Sequence, residues 1–149
     1  MPRKEWIKNW FSNMVPLDQP FEYRLYYTTA LFKTVENFYQ AMKANSDQEF
    51  LKIADMPPFQ AKNYWRNHIP YPITEEDKLS FMEYGLRQKF APGTSWFKKL
   101  MDTGDEEIIE FNNWGDRYWG IDVRDGKGEN HLGKILMKIR EEFKDGSVD

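Results

Sequence analysis

Between Thr34 and Lys43 the sequence TVENFYQAMK separates polar from apolar positions at the period of an α-helix. Glu36, Gln40 and Lys43 fall within about 60° of one another, while Val35, Phe38 and Met42 gather on the opposite side. Thr34 is suited to cap this helix. Upstream, FEYRLYY (Phe21 to Tyr27) alternates Phe21, Tyr23, Leu25 and Tyr27 against Glu22, Arg24 and Tyr26, which predicts a half-buried strand. The rest of the first thirty residues reads as extended and irregular. Downstream, Ser46 with Glu49 forms a capping box for a second helix that the Pro57-Pro58 pair ends. Pro58 suits the first turn of a third, short helix reaching about Arg66. Past the Pro70–Pro72 loop, Thr74 and Asp77 open a longer helix, apolar along Leu79, Met82, Leu86 and Phe90, that ends before Pro92. A helix from about Ser95 to Asp102 stops at Gly104, Glu107 to Phe111 predicts a short strand, and NNWGDRYWG a loop. The last helix runs from about Asn130 to Lys144 with Leu132, Ile135, Leu136, Ile139 and Phe143 facing inward. The fold class is α+β, mainly α: one compact domain over residues 1–149, of about six helices and a small β element.

Composition narrows the chemistry. Aromatic residues make up 17% of the 149, with six Trp, eight Tyr and eleven Phe. Such rings either fill a core poor in Val and Ile or form surfaces that stack on planar ligands. A net charge of −3 gives no global field for nucleic acid, so binding of that kind would need a local basic patch. The lack of cysteine excludes disulfides, thiolate catalysis and Cys-ligated zinc, and fits the cytoplasm. His68 and His131 stand far apart without metal-ligand spacing, so no metal site is expected. The N-terminal MPRKEWIKNW has no apolar signal region and no stretch approaches a membrane span, which predicts a soluble chain with no membrane partner.

Three further features carry chemistry. On the Thr34–Lys43 helix, a carboxylate, an amide and an amine one or two turns apart would converge in a cleft, or else form an ordinary solvated face. Glycines lead into the last helix in GKGENHLG (Gly126 to Gly133), which is neither a P-loop nor the dinucleotide fingerprint. Backbone N–H groups there could approach an anion, or the segment is a plain turn capped by Asn130. Asp116-Arg117-Tyr118-Trp119-Gly120, with Trp114 nearby, reads as a base-stacking loop or as buried loop aromatics. Asn13 would cap a turn or hold a hydroxyl.

Taken together, these segments resemble the NADAR family, named for NAD and ADP-ribose. The resemblance covers about Trp10 to Phe143 and rests on blocks in one order. WFSNM (Trp10 to Met14) is similar to the family's FSNF element and TVENFYQAMK to its T-x-E-H-x-F-Q-A-x-K element. AKNYWR (Ala61 to Arg66) is similar to A-K-x-x-G-R, and LRQKF (Leu86 to Phe90) to L-x-x-K-F; TGDEEIIE, DRYWG and GKGENHLGKILMKIR follow.

The resemblance implies a NADAR or N-glycosidase-like fold and hydrolysis of an N-glycosidic bond at the anomeric carbon of a phosphorylated ribose. The substrate would be a phosphoribosylamino pyrimidine of the riboflavin pathway, or ADP-ribose on a base such as guanine, free or in nucleic acid. Neither a cofactor nor a metal is implied. Glu36 would stabilise oxocarbenium character or activate water, and Lys43 would attack the anomeric carbon to give a Schiff base, with Lys89 in reserve. Asp116 and Glu110 are further carboxylates; Arg66 and the turn through Gly128 and Gly133 would contact phosphate. Trp119 beside Gly120 would stack the base, Asn13 and Asn130 would hold hydroxyls or amides, and Gln40 would also bind the substrate. Two departures bear on this: Trp65 stands where the family has glycine, and Asn37 where it has histidine, an amide that cannot titrate. Both also fit a module that binds ADP-ribose or NAD without turnover. A scaffold that uses its aromatic residues as a partner surface is a third reading.

Overall fold

A computed structural model of the chain describes residues 12–146. MPRKEWIKNW, and Trp10 and Phe11 of the WFSNM block, lie outside the described residues. The chain divides into two compact units, one spanning Asn13–Thr94 and the other built mainly from residues 95 onward. Six α-helices and two two-stranded sheets are present among the described residues, an α+β fold that is mainly α.

The first unit starts with a hairpin. Strand β1 (Phe21–Leu25) pairs antiparallel with β2 (Thr28–Phe32), Phe21 opposite Phe32 and Leu25 opposite Thr28. The expected alternation holds in β1, whose Phe21, Tyr23 and Leu25 pack on the core while Glu22 and Arg24 are exposed. The sequence pattern predicts no strand at β2. Residues 26 and 27 form its turn, with Tyr26 left-handed at φ 56° where such a hairpin favours Asn or Gly. The Tyr26 hydroxyl, donated to the Ala44 carbonyl at 2.8 Å, helps hold that conformation.

Helix α1 (Val35–Ala41) follows, with Thr34 capping it by accepting the Asn37 N–H. Ser46 caps α2 (Asp47–Asp55) in the same way by accepting the Glu49 N–H. The return bond of that capping box lands one residue early: Glu49 Oε1 accepts from the Asn45 N–H at 2.8 Å. Pro57 and Pro58 end α2 and start α3 (Pro58–Asn63), which tightens into a single 3-10 turn, Tyr64–Arg66. A complete capping box between Thr74 and Asp77 opens α4 (Glu75–Lys89). Phe32, Phe38, Phe50, Ile53, Ala41 and Ala61, all fully buried, form the centre of this unit's core. Around them the rings of Phe21, Phe32, Phe38 and Phe50 lie 5.2–5.8 Å apart in tilted or edge-on pairs. Rings thus take up the volume that Val and Ile fill elsewhere.

The second unit contains α5 (Ser95–Asp102), two short strands and α6 (His131–Lys144). Residues 107–110 are not strand, contrary to the sequence reading; β3 is Phe111–Asn112 alone, parallel to β4 (Ile121–Asp122). The reason is local. The Asn130 side-chain amide pairs with the backbone on either side of Ile109, accepting the Glu110 N–H and donating to the Ile108 carbonyl, both at 2.9 Å. Leu132, Ile135, Leu136 and Ile139 are the buried face of α6, as its period predicted. Among the described residues no helix is long and apolar enough to cross a membrane.

Candidate functional site

Helix α1 turns its apolar side fully inward: Val35 and Phe38 have no exposed surface and Met42 is 4% exposed. The polar stripe on the other side is not an ordinary solvated face. Gln40 is only 8% exposed, and Glu36 and Lys43 are half-buried. The three side chains form one hydrogen-bonded chain. Gln40 Nε2 donates to Glu36 Oε2 at 2.7 Å, and Lys43 Nζ donates to Gln40 Oε1 at 3.1 Å. Those two contacts fix the orientation of the amide, since a flipped group would set donor against donor at Lys43. The ammonium also lies over the Tyr39 ring, 4.5 Å from its centre.

Burial lowers the Lys43 pKa from 10.5 to about 8; the Glu36 carboxylate acts against that shift and Lys78 adds to it. An appreciable part of this amine is therefore neutral near physiological pH. A neutral amine, unlike an ammonium, has a lone pair with which it can act as a nucleophile.

Asn13 belongs to the same neighbourhood. Its backbone carbonyl accepts the Glu36 N–H at 2.9 Å, and its Nδ2 points to the Met82 sulfur at 3.4 Å. Asn13 Oδ1 is buried without a hydrogen-bond partner, an arrangement folded proteins rarely leave in place. Lys89 is 1% exposed, its ε-amine 5.2 Å from the centre of the Phe90 ring. Of the two lysines, Lys43 is the more exposed. Arg66 is exposed on the 3-10 turn.

Asn37, which follows Glu36, points elsewhere. It is 3% exposed, accepts from the Thr34 hydroxyl at 2.5 Å, and donates to the carbonyls of Ile53 and Met56 at 2.9 and 2.7 Å. Its amide ties α1 to the end of α2 and lies on an open groove of about 710 Å³ that none of Glu36, Gln40 and Lys43 lines. Asn37 is therefore a structural link, not a member of the polar stripe.

Two contacts to the stripe left no readable signal in the sequence. The Trp65 indole N–H donates to the Gln40 carbonyl at 3.2 Å, and the Tyr71 N–H to the Lys43 carbonyl at 2.8 Å. Both donors are distant in sequence from their acceptors, and a donor from so far away announces itself by no periodicity.

In the second unit, Asp116, Trp119, Gly120, Gly128, Asn130 and Gly133 do come together, mostly by binding one another. Asp116 Oδ1 accepts the N–H groups of Tyr118 and Trp119 at 3.1 and 2.9 Å, so this carboxylate shapes the aromatic loop. Trp119 is half-buried, edge-on to Tyr118 at 4.8 Å and 6.4 Å from the His131 ring. The N–H groups of Glu129, Asn130, His131 and Leu132, the natural anion donors at the start of α6, are taken by the carbonyls of Arg117, Gly120, Tyr118 and Trp119. The glycines serve this close backbone packing. A Cβ would lie 2.1 Å from the Glu110 oxygen at Gly120, 2.1 Å from the Gly120 oxygen at Gly128, and 2.2 Å from the Ile108 oxygen at Gly133. Asn130 occupies the N-cap position in a left-handed conformation, φ 54°, but its side chain does not cap α6.

The NADAR domain family model matches residues 2–144. A riboflavin biosynthesis protein of Vibrio vulnificus is 34% identical over 117 residues, 74% of this chain and 30% of that protein. An N-glycosidase of Acanthamoeba polyphaga mimivirus is 37% identical over 87 residues, 52% of this chain and 50% of that protein. The chain thus spans half the length of these two relatives or less. An N-glycosidase of Nostoc punctiforme is 30% identical over 140 residues, 90% of this chain and 85% of that protein. The solution NMR structure of the E. coli protein YbiA superposes with a TM-score of 0.71 at 24% identity, covering 99% of this chain and 86% of that one, a likeness of fold.

Proposed function

Because the chain belongs to the NADAR family, we propose that it is an N-glycosidase cleaving the bond between a base and a phosphorylated ribose. The observation that carries this reading is the Glu36–Gln40–Lys43 chain of hydrogen bonds, ending in an amine whose pKa is lowered to about 8. The N-glycosidase names of the mimivirus and Nostoc relatives support it. The family match over residues 2–144 supports treating the chain as one NADAR domain.

In this mechanism the glycosidic C–N bond breaks with oxocarbenium character at the anomeric carbon, and the departing base takes up a proton. The Glu36 carboxylate stabilises that developing charge. The neutral Lys43 amine forms a new C–N bond at the same carbon and loses a proton. The sugar ring then opens, its ring oxygen is protonated, and an imine results. Water adds to the imine, which returns the amine and releases the phosphorylated sugar; the sum is hydrolysis. Asn13 holds a sugar hydroxyl, and the exposed Arg66 contacts phosphate.

Two substrates suit this chemistry: ADP-ribosyl-guanine, free or within nucleic acid, and a phosphoribosylamino pyrimidine, the latter in keeping with the name of the Vibrio relative. The test is incubation of micromolar protein with ADP-ribosylated guanosine and, separately, with the pyrimidine. Release of free base from either is expected. No release from both overturns the reading, and tight calorimetric binding of ADP-ribose in that event would make the protein a binding module.

A further inference from the structure

The short helix that carries the site ends under unusual control. Helix α1 has seven residues and passes into Met42 in right-handed helical conformation, with no glycine to stop it. Carbonyls of a final helical turn have no partner within the helix and need donors from elsewhere. Here they come from distant segments. The Gln40 carbonyl accepts both the Lys43 N–H and the Trp65 indole N–H at 3.2 Å, the Lys43 carbonyl accepts the Tyr71 N–H, and the Ala44 carbonyl accepts the Tyr26 hydroxyl. Asn45 Nδ2 adds a bond to the Ile69 carbonyl at 2.9 Å. The stretch from Tyr64 to Tyr71 thus straps the turn from which the Lys43 side chain leaves.

Trp65 reaches this turn for local reasons. Ala61 buries the inner face of α3, and the tightening at Tyr64–Arg66 sends Trp65 back across α1 while Arg66 goes to solvent. The indole is half-buried against the core, held edge-on by the Tyr64 ring at 4.7 Å. Tyr64 in turn donates its hydroxyl to Glu49 at 2.8 Å. The ring has little freedom, and its single donor meets the backbone carbonyl of the residue whose side chain bridges Glu36 and Lys43.

We propose that Trp65 is a positioning residue for the reaction: its indole N–H, seated on the Gln40 carbonyl, fixes the last turn of α1 and so holds the Lys43 amine against the Gln40 amide and beside Glu36. The proposal rests on the reading of Lys43 as the attacking amine. Without that N–H the turn loosens, Gln40 and Lys43 sample other rotamers, and the amine turns toward water. Trp65 does not touch the reacting atoms in this scheme. It acts through Gln40, and the loss is one of orientation.

Trp65→Phe keeps most of the apolar ring and removes the donor; benzothienylalanine at position 65 keeps nearly the full indole shape, with sulfur in place of N–H. In both, the Lys43 pKa is read by competitive labelling of the amine across pH 6–11, a measurement independent of any turnover. The groups facing Lys43 are Glu36 on α1, Lys78 on α4 and the Tyr39 ring, and none is altered. Both variants are expected to raise the Lys43 pKa by about one pH unit as the amine gains water, to lower kcat ~10-fold, and to leave KM within ~2-fold. A folded benzothienylalanine variant with an unchanged Lys43 labelling profile overturns the proposal, as does one with unchanged kcat. Lys43→Met separates the two claims. Full turnover in that variant removes the reading of the reaction, and in that event kcat no longer reports on Trp65 and the labelling profile decides by itself whether it positions the amine.

Discussion

Gln40 holds the Glu36 carboxylate at 2.7 Å through its side-chain amide and offers the other end of the same group to Lys43. The carboxylate is thereby kept as an acceptor, and the amine has a neutral partner on that side. With Gln40 8% exposed, this arrangement is shielded from the bulk water that would weaken it.

The first prediction concerns the carboxylate. Glu36→Gln preserves shape and removes the charge that would stabilise an oxocarbenium-like transition state. We expect kcat to fall at least ~100-fold with an unchanged circular dichroism spectrum and melting temperature. Near-wild-type base release from the variant would assign the role to another carboxylate.

The elements around this site were legible where local rules decide them. Thr34, Ser46 and Thr74 cap their helices as read, and the Glu36–Gln40–Lys43 stripe followed from helical spacing alone. Strand β2 escaped because Leu31 puts an apolar side chain on the exposed face next to buried Ala30 and Phe32, which hides the period of two. Two tyrosines in the turn also gave no hairpin signal. Residues 107–110 misled in the opposite sense: Ile108 and Ile109 suit a strand, but an asparagine amide from the start of α6 stands where a neighbouring strand would be. The glycine-rich turn was ambiguous for a deeper reason. Glycine permits backbone to approach an anion or another stretch of backbone equally well, and only the fold shows that these N–H groups already have carbonyl partners.

The amine itself gives the second prediction. Folding lowers the Lys43 pKa from 10.5 to about 8, so below about pH 8 the folded state holds a partly desolvated charge that the unfolded chain carries in full water. Between about pH 8 and 10.5 the unfolded state binds more protons, and this group's penalty on stability fades as pH rises. Lys43→Met should therefore lose turnover while gaining stability on the order of 1 kcal/mol at pH 7. The gain should shrink in urea titrations stepped from pH 7 to 10. A destabilised variant at pH 7, or a gain independent of pH, would contradict the account.

Asn37 offers a contrast in which stability moves and chemistry does not. Its amide makes three side-chain hydrogen bonds, to Thr34, Ile53 and Met56, the first two of them buried. Asn37→Ala leaves two carbonyls and a hydroxyl short of partners, which should destabilise the fold by about 2–4 kcal/mol. Turnover per folded molecule, measured well below the melting transition, should stay within ~3-fold of wild type. A selective collapse of kcat in a stable Asn37→Ala protein would mean that this residue takes part in the reaction after all.

The last prediction uses the loop that precedes the glycine-rich turn. Asp122 is fully buried, and its carboxylate accepts from the Arg124 side chain at 2.6 Å, from the Arg124 N–H at 2.9 Å, and pairs with Arg117 at 3.3 Å. Those contacts, the Arg124 hydrogen bonds foremost, lower its pKa from 3.8 to about 2. The folded state therefore gives up this proton more readily than the unfolded chain does. The resulting stability is complete above about pH 5 and is lost as pH falls toward about 2. Asp122→Asn should melt at a lower temperature than wild type at pH 7, because an amide presents donors to two guanidinium groups. The gap should narrow through pH 4 and nearly close by about pH 2, where the wild-type carboxyl is itself becoming neutral. Parallel melting curves from pH 7 to 2, with a constant gap, would show that Asp122 supports the loop by shape alone and that its charge contributes nothing to holding the aromatic segment beside α6.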